Sequence, residues 1–246
     1  MAQSKSQKRS SRAKKPAKAK ASRWSFRFLL RLLFRVVVAV ALIWVLWTVS
    51  YRWIDPPTTP YILAEEGRLG QVAHRWVDLD DVAPVMARAV VAAEDANFCN
   101  HWGFDVEAIR DAIEDGGTRG ASTLSQQVVK NAVLWQGRSW LRKAMEASLT
   151  PVMEAAWPKR RIVEVYLNVA EFGEGTFGVH AAARRYFDTD PERLSDAQAA
   201  ALAAVLPSPK TRNPAEPTDF LRRRIAAIRD GAATIDRDGR ADCFQG

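Results

Sequence analysis

The sequence is poor in the residues that hold metal ions and cross-link small folds. Its 246 residues include two cysteines, Cys99 and Cys243, and three histidines. The histidines, His74, His101 and His180, are scattered, and no Cys/His cluster has the spacing of a zinc site. These absences exclude a zinc ribbon and a disulfide-dense scaffold, and we predict no metal site built by the protein.

Several catalytic signatures are also missing. The sequence has no G-x-S-x-G nucleophile elbow, no Walker lysine loop and no dinucleotide fingerprint. The body of the chain also lacks the S-x-x-K, S-D-N and K-T-G set of penicillin-reactive serine enzymes. Any chemistry must therefore come from other residue types.

Acidic residues are absent from the first part of the chain. Between Met1 and Trp53 there are 13 Lys and Arg residues, and the first acid is Asp55. The rest of the chain has 23 basic and 28 acidic residues, so the formal charge of +8 divides into a basic head and a body of net charge −5. The net positive charge is confined to the head and the body is mildly acidic, so the charge distribution argues against a nucleic-acid binder, and we expect no nucleic acid as a partner.

One long apolar run follows the basic head. Residues 28–51 have Arg31 and Arg35 as their only charges, and as a helix they would span about 36 Å, enough to cross a hydrocarbon core of about 30 Å. The alternatives are a buried core helix, which is rare at this length in a small body, and a cleaved signal peptide, for which no A-x-A-like site follows. We predict a disordered basic cytoplasmic tail over 1–27 and a transmembrane signal anchor over 28–51, with the body outside the cytoplasm.

The remaining sequence has helix signals and few strand signals. Three prolines within residues 52–65 predict an extended linker. Residues 66–246 are predicted to form one mainly α domain. Its main helices are predicted to start at Asp80 or Asp81, at Ser122 or Thr123, after Ser139, at Pro158, at a capping box opened by Ser195, and at Asp219.

Two pairs of charged residues are candidates for chemistry. Glu94 and Asp95 end the helix that begins near Asp81, where the helix dipole disfavours negative charge, and a carboxylate there suits a general base. The alternative is a pair of solvated carboxylates at a helix end. Arg142 and Glu146 are four residues apart and would meet on one helical face, either within a site or as an ordinary helix ion pair.

A polar segment lies between these pairs. Residues 120–131 contain no acid, and hydroxyls at a predicted helix start favour anions. Gln127, Lys130 and Asn131 share one helical face, although a capped surface helix would have the same pattern. A later basic triplet, residues 159–161, is predicted to face solvent.

Four strings in this order resemble the peptidoglycan glycosyltransferase family, which includes the polymerase domain of bifunctional penicillin-binding proteins and the monofunctional biosynthetic peptidoglycan transglycosylases. They are AAEDANFCNHWGFD (92–105), GASTLSQQVVKN (120–131), RKAMEA (142–147) and RRIVEVYLNVAEFGEGTFGVHAAARRYF (160–187). The likeness covers about residues 82–209, and the short chain resembles the monofunctional type. Several motifs in register make the resemblance specific.

The resemblance implies a lysozyme-like α-helical fold and the polymerisation of lipid II. In that reaction the C4 hydroxyl of an acceptor sugar attacks C1 of a donor MurNAc, a polyprenyl diphosphate leaves, and inversion yields a β-1,4 glycan. Glu94 matches the catalytic base and Glu146 a second essential glutamate. Lys130, Arg142 and Lys143 match a diphosphate clamp. The other implied substrate-binding residues are Asp95, Phe98, His101, Ser122, Thr123, Gln127 and Asn131.

The family also implies partners and a location. Lipid II, the growing glycan strand and membrane lipid are expected partners, with cell-division or cell-wall synthesis proteins as further candidates. The expected location is the bacterial inner membrane, with the N-terminus cytoplasmic and the catalytic domain periplasmic. The residues require no cofactor, although a divalent cation, Mg or Mn, could assist the diphosphate.

Two other functions and one covalent bond stay open. A lytic peptidoglycan-cleaving enzyme of lysozyme-like fold also uses a catalytic glutamate. A non-catalytic membrane-anchored cell-wall scaffold is the other alternative. Cys99 and Cys243 either form a disulfide or stay free, because the sequence does not give the Cα separation that a bridge requires.

Overall fold

The computed structural model describes residues 26–116, 120, 122–137 and 139–245. Almost all of the tail that is predicted to be disordered, residues 1–27, lies outside this part of the chain. The chain divides into two units, Met1–Val40 and Ala41–Gly246.

A single apolar helix, α1, runs from Phe26 to Ser50. Arg27–Ser50 is long and apolar enough to cross a membrane, with a mean hydropathy of 2.5 in its most apolar window, none of which is buried. A core helix of a soluble domain would have these side chains covered by protein. The absence of burial therefore argues against the core-helix alternative. Helix α1 is a candidate membrane span, and its bounds match the predicted anchor over 28–51 closely.

The last turns of α1 belong to the second unit. The indole Nε1 of Trp157 donates to the backbone oxygen of Thr48 at 3.1 Å. The Nε of Arg161 donates to the backbone oxygen of Tyr51 at 2.9 Å, and Tyr51 is buried. The folded domain therefore begins inside the apolar helix, upstream of the boundary predicted at residue 66.

Helix α2, Pro60–Leu69, begins inside the stretch predicted as a linker. Thr59 caps it, with its side-chain oxygen accepting from the backbone N–H of Ile62 at 3.2 Å. Pro60 stands at the first helical position, where the missing N–H of proline has no consequence. The extended connector is therefore limited to about residues 55–59, and Ile62 and Glu65 are buried in the domain.

The other helices described confirm the prediction of a mainly α domain. They are α3 (Pro84–Glu94), α4 (Val106–Glu114), α5 (Leu124–Val128), α6 (Trp140–Ala156), α7 (Lys159–Val169), α8 (Gly178–Phe187), α9 (Asp196–Val205), α10 (Asp219–Arg237) and α11 (Asp242–Gln245). Short 3-10 turns cover Leu79–Asp81, Phe98–Asn100 and Pro191–Arg193.

Most helix starts follow the predicted capping residues. Thr123 and Ser195 each form a capping box, and Ser139 caps α6. The predicted start at Asp80 or Asp81 is wrong, because those residues form a 3-10 turn and α3 begins only at Pro84. Proline is favoured at the first position of a helix, which explains the later start.

A small sheet accompanies the helices. Its strands are β1 (Ala73–His74), β2 (Glu171–Gly173) and β3 (Thr176–Phe177), in the order β1-β3-β2. Strand β1 is parallel to β3, with Ala73 opposite Thr176, and β2 is antiparallel to β3.

The core brings three chain regions to one place. Helix α10 packs against α3 and α9, and α5 packs against α6 and α7. Apolar side chains such as Val90, Leu124 and Tyr166 are fully or almost fully buried between these helices. The end of α3, the start of α5 and the first half of α6 carry the candidate functional residues.

Candidate active site

Glu94 and Asp95 lie at the end of α3, where the packing of α3 covers them. The Glu94 side chain is 12% exposed and that of Asp95 is 2% exposed. The alternative of two solvated carboxylates at a helix end is therefore wrong. A buried carboxylate has to be compensated by hydrogen bonds or by cations, and the two residues differ in how this is done.

The two oxygens of Glu94 have different surroundings. Oε2 accepts a hydrogen bond from Nε2 of Gln127 at 2.9 Å, and Gln127 in turn accepts from the hydroxyl of Tyr166 at 3.3 Å. Oε1 is buried and has no hydrogen-bond partner among the described residues. Burial raises the pKa of Glu94, and Gln127, Arg224 and Lys130 oppose that rise. The site thus holds a carboxylate of increased basicity with one free oxygen.

Asp95 is fully engaged by the protein. Its Oδ1 lies 2.8 Å from Nε2 of His101, and its Oδ2 accepts from the backbone N–H of Leu124 at 2.9 Å. The Phe98 ring has no exposed surface and lies edge-on to the His101 ring. Asp95, His101 and Phe98 therefore join the loop after α3 to the start of α5, and Phe98 supports the site from within the core.

The entry to α5 is held by a hydroxyl and a glycine. The Thr123 hydroxyl caps α5 and donates to the backbone oxygen of Gly103 at 2.7 Å, whereas Ser122 is exposed. Gly103 has a φ of +82°, and a Cβ there would lie 2.6 Å from Cγ2 of Thr150. Only glycine meets both conditions without strain.

Lys130 lies in a wide turn that follows α5. Residues Val129–Val133 form a π-helical turn, in which the N–H of Leu134 bonds to the oxygen of Val129 at 3.2 Å. Such turns are frequent at functional sites because they re-aim side chains. Burial lowers the pKa of Lys130, and the charges of Glu146 and Glu94 oppose that effect.

Asn131 faces a different neighbour from Lys130. It is buried, and its Oδ1 accepts from Nε2 of Gln136 at 3.2 Å. Of the three residues predicted to share one helical face, Gln127 and Lys130 therefore act on Glu94, while Asn131 stabilises the turn.

Glu146 on α6 has both oxygens paired with cations. Arg142 Nη1 donates to Oε2 at 2.7 Å, and Lys143 Nζ donates to Oε1. The Glu146 side chain is 3% exposed, so this is not the ordinary surface ion pair that the spacing also allowed. Arg142 additionally donates from Nε to the backbone oxygen of Gly137 at 2.8 Å. Arg142 and Lys143 are thereby oriented around one carboxylate.

A buried ion pair behind the site was missed in the sequence. Lys159 donates to Oε1 of Glu154 at 2.9 Å and to the backbone oxygen of His101 at 2.8 Å. The Ser125 hydroxyl also donates to Glu154. The prediction that residues 159–161 face solvent is wrong for Lys159 and Arg161, whose side chains are 14% and 11% exposed. Lys159 precedes buried Tyr166 by seven residues, or about two helical turns, so the two share one face of α7. This spacing could have indicated that Lys159 is buried.

The residues around Glu94 and Glu146 do not fit a protein-held divalent cation. Within the described ranges, no group of three or more His, Cys, Asp or Glu side chains could hold a metal ion. Both oxygens of Glu146 are paired with cations, and Oδ1 and Oδ2 of Asp95 are engaged by His101 and Leu124. A Mg or Mn ion would have to be held through oxygens of the substrate.

Cys99 and Cys243 form a disulfide, which answers the question that the sequence left open. Their Cα atoms are 5.8 Å apart, and the bridge joins residues separated by 144 positions. Cys99 lies in the 3-10 turn after Asp95 and Cys243 lies in α11. The bond therefore fastens the C-terminal end of the chain to the loop that carries Asp95.

A buried glutamate with a raised pKa and one free oxygen, beside a cluster of cations, is the arrangement of an acid–base enzyme for an anionic substrate. Comparison with known proteins identifies the family of enzymes to which the chain belongs. The family model described as Transglycosylase matches residues 63–232, and the chain belongs to this family.

Similar proteins carry the name biosynthetic peptidoglycan transglycosylase. One from Jannaschia sp. (strain CCS1) is 58% identical over 200 residues, which are 81% of this chain and 84% of that protein. One from Rhodospirillum centenum is 51% identical over 214 residues, 85% of this chain and 92% of that protein. One from Caulobacter vibrioides is 44% identical over 205 residues, 81% and 89% of the two chains.

Proposed function

We propose that this chain, a peptidoglycan glycosyltransferase, polymerises lipid II into β-1,4 glycan strands and uses Glu94 as its general base. The unequal pairing of the two glutamates carries the proposal. Oε1 of Glu94 is buried without a hydrogen-bond partner among the described residues, whereas cations occupy both oxygens of Glu146. A base needs a free lone pair, and only Glu94 of these two has one.

The bond changes follow from this assignment. The C4 hydroxyl of the acceptor sugar attacks C1 of the donor MurNAc, and Oε1 of Glu94 takes the hydroxyl proton as the new C–O bond forms. The bond from C1 to the diphosphate oxygen breaks on the opposite face, so the α-linked donor gives a β-1,4 product. Burial raises the pKa of Glu94 and so strengthens it as a base.

The leaving diphosphate needs cations rather than a strong general acid. Lys130, Arg142 and Lys143 surround Glu146, which orients the last two through ion pairs. They stabilise the negative charge that develops on the diphosphate as the bond to C1 breaks. Burial lowers the pKa of unliganded Lys130, and a bound diphosphate would favour its charged form. Mg or Mn, bound through phosphate oxygens, could add to this charge.

Lys130→Gln tests the cationic side of the site. We expect kcat/KM for lipid II to fall about 100-fold, because one charge that stabilises the leaving group is removed while the volume is nearly kept. Arg160→Gln is the matched control, because Arg160 pairs with exposed Asp80 on another face, and its activity should stay within about twofold of wild type. A Lys130→Gln enzyme with more than half of wild-type activity would contradict the role.

One assay separates the proposed function from its two alternatives. The purified full chain in detergent is given lipid II and, in parallel, finished peptidoglycan, and products are separated by size. From lipid II, wild type should yield glycan strands and Glu94→Gln should not. A lytic enzyme would instead release fragments from finished peptidoglycan and make no polymer. A scaffold would give neither product. Either of these two results would reject the proposal.

We also propose where the chain is located in the cell. The chain is a single-pass protein of the bacterial inner membrane, with its N-terminus in the cytoplasm and its domain in the periplasm. The support is the 13 basic and no acidic residues up to Trp53, together with one helix of membrane-spanning length. Protease added to spheroplasts should digest the domain and spare the N-terminus, and the reverse pattern would reject this topology.

A further inference from the structure

We infer that Arg224 of α10 is a positioning residue for the proposed general base, holding the Glu94 carboxylate charged and oriented while leaving its Oε1 free to take a proton. The inference rests on the proposed function of Glu94. Arg224 lies in the C-terminal part of the chain, for which no site residue was predicted from the sequence.

The contact between the two side chains has an unusual length. Nη2 of Arg224 lies 3.9 Å from Oε1 of Glu94, which is an ion-pair distance but too long for a hydrogen bond. The cation therefore stabilises the charge on Glu94 without occupying the lone pair that a base requires. Glu146 shows the contrast, since Arg142 approaches it to 2.7 Å and donates a hydrogen bond.

Arg224 is held in this place although its own groups are incompletely satisfied. Its side chain is 30% exposed, and its Nε is buried with no hydrogen-bond partner in the part of the chain that is described. An unpaired buried donor is unfavourable, so its retention here needs an explanation. The attraction to Glu94 supplies one.

The sequence places Arg224 on the inner face of α10. The buried residues of this helix are Leu221, Ile228, Ala232 and Ile235. Arg224 follows Leu221 by three positions and precedes Ile228 by four, so it shares their face, whereas its neighbour Arg223 is exposed.

The packing of α10 on α3 fixes the distance between Arg224 and Glu94. A Cβ at Gly231 of α10 would lie only 3.2 Å from Cβ of Ala92, two residues before Glu94. The two helices therefore approach closely next to the base, which leaves little freedom for the relative position of Arg224 and Glu94.

Other groups facing Glu94 have different functions. Gln127 donates to its Oε2, Lys130 lowers its pKa, and Asp95 raises it. Tyr166 lies behind Gln127, and Arg212 is close enough to interact electrostatically with both Glu94 and Arg224. Lys130 is assigned to the diphosphate. Arg224 is the cation that reaches ion-pair distance from Glu94 within the described residues.

The pH dependence of polymerisation tests the inference. Without the cation, the pKa of Glu94 rises further, and less of the base is charged at neutral pH. For Arg224→Gln we expect kcat/KM at pH 7 to fall about tenfold, with the acidic limb moved to higher pH and activity recovered in alkaline buffer. Arg224→Lys keeps the charge with a shorter reach and should show a smaller displacement. Arg223→Gln, on the exposed face, should keep the wild-type profile.

The outcomes distinguish this inference from the proposed function. If wild type makes glycan and Glu94→Gln does not, the function stands. An Arg224→Gln profile equal to wild type, or lowered by the same factor at every pH, would then overturn the role of Arg224 alone. Should Arg224→Gln fail to fold by circular dichroism, the neutral variant Arg224→Met decides, because an unchanged acidic limb in a variant without the cation also overturns it.

Discussion

Glu94→Gln is expected to lower kcat for lipid II polymerisation by about 1,000-fold. An amide cannot take up the proton of the attacking hydroxyl, although its oxygen can still accept the hydrogen bond from Gln127. Initial rates with lipid II at saturation measure the effect. Glu66→Gln is the matched control, because Glu66 is exposed on α2, and it should stay within about twofold of wild type. A Glu94→Gln enzyme with a tenth of wild-type activity would contradict the assignment.

The stability of Glu94→Gln separates lost chemistry from lost folding. Burial raises the pKa of Glu94 in the folded state, so the protonated carboxyl favours folding and that contribution is lost as the pH rises through the raised pKa. Gln is neutral at every pH, and the variant should be at least as stable as wild type above that pKa. In wild type, activity should fall as the pH drops through the same pKa, because the base becomes protonated.

Replacing both Cys99 and Cys243 by Ser is expected to reduce the free energy of unfolding by about 5 kcal/mol. The bridge closes a loop between residues separated by 144 positions, and a longer loop loses more chain entropy when it is cross-linked. Denaturant unfolding of the full chain in detergent, under oxidising conditions, measures the difference.

Reductant supplies the control for the disulfide. Dithiothreitol should destabilise wild type to nearly the level of the double variant and should leave the double variant unchanged. The reduced protein should also lose activity, because Cys99 lies in the turn between Phe98 and Asn100, near the Asp95–His101 contact. Two free thiols in mass analysis without reductant, or a wild type that dithiothreitol does not destabilise, would show that the bridge does not form or contributes nothing.

Local sequence signals predicted the starts of α5, α6 and α9 correctly. Thr123, Ser139 and Ser195 each accept a hydrogen bond from the backbone N–H three residues later, so their function depends on the nearby sequence alone. Helix α2 was missed because prolines that suggest an extended linker also favour a first helical position, as at Pro60. The start of α3 was wrong for the same reason, at Pro84.

The site could be predicted only in part. Motif resemblance named Glu94, Lys130 and Glu146, but their different pairing depends on which helices meet, and local sequence does not contain that information. Arg224 and Lys159 were missed because charged side chains are mostly exposed, so without a known partner an arginine or lysine is predicted to face solvent. Those partners lie on other helices.

The hydrogen bonds at the end of α1 also set an order of events during synthesis. The backbone oxygens of Thr48 and Tyr51 accept hydrogen bonds from Trp157 and Arg161, which are synthesised 109 and 110 residues later. At roughly 5–20 residues per second, that delay is on the order of ten seconds. The start of the domain is therefore translated with the apolar helix and gains its partners only after α7 has emerged. The end of α1 is therefore part of the apolar helix from the time it is synthesised, and it becomes part of the folded enzyme only when Trp157 and Arg161 bind to it.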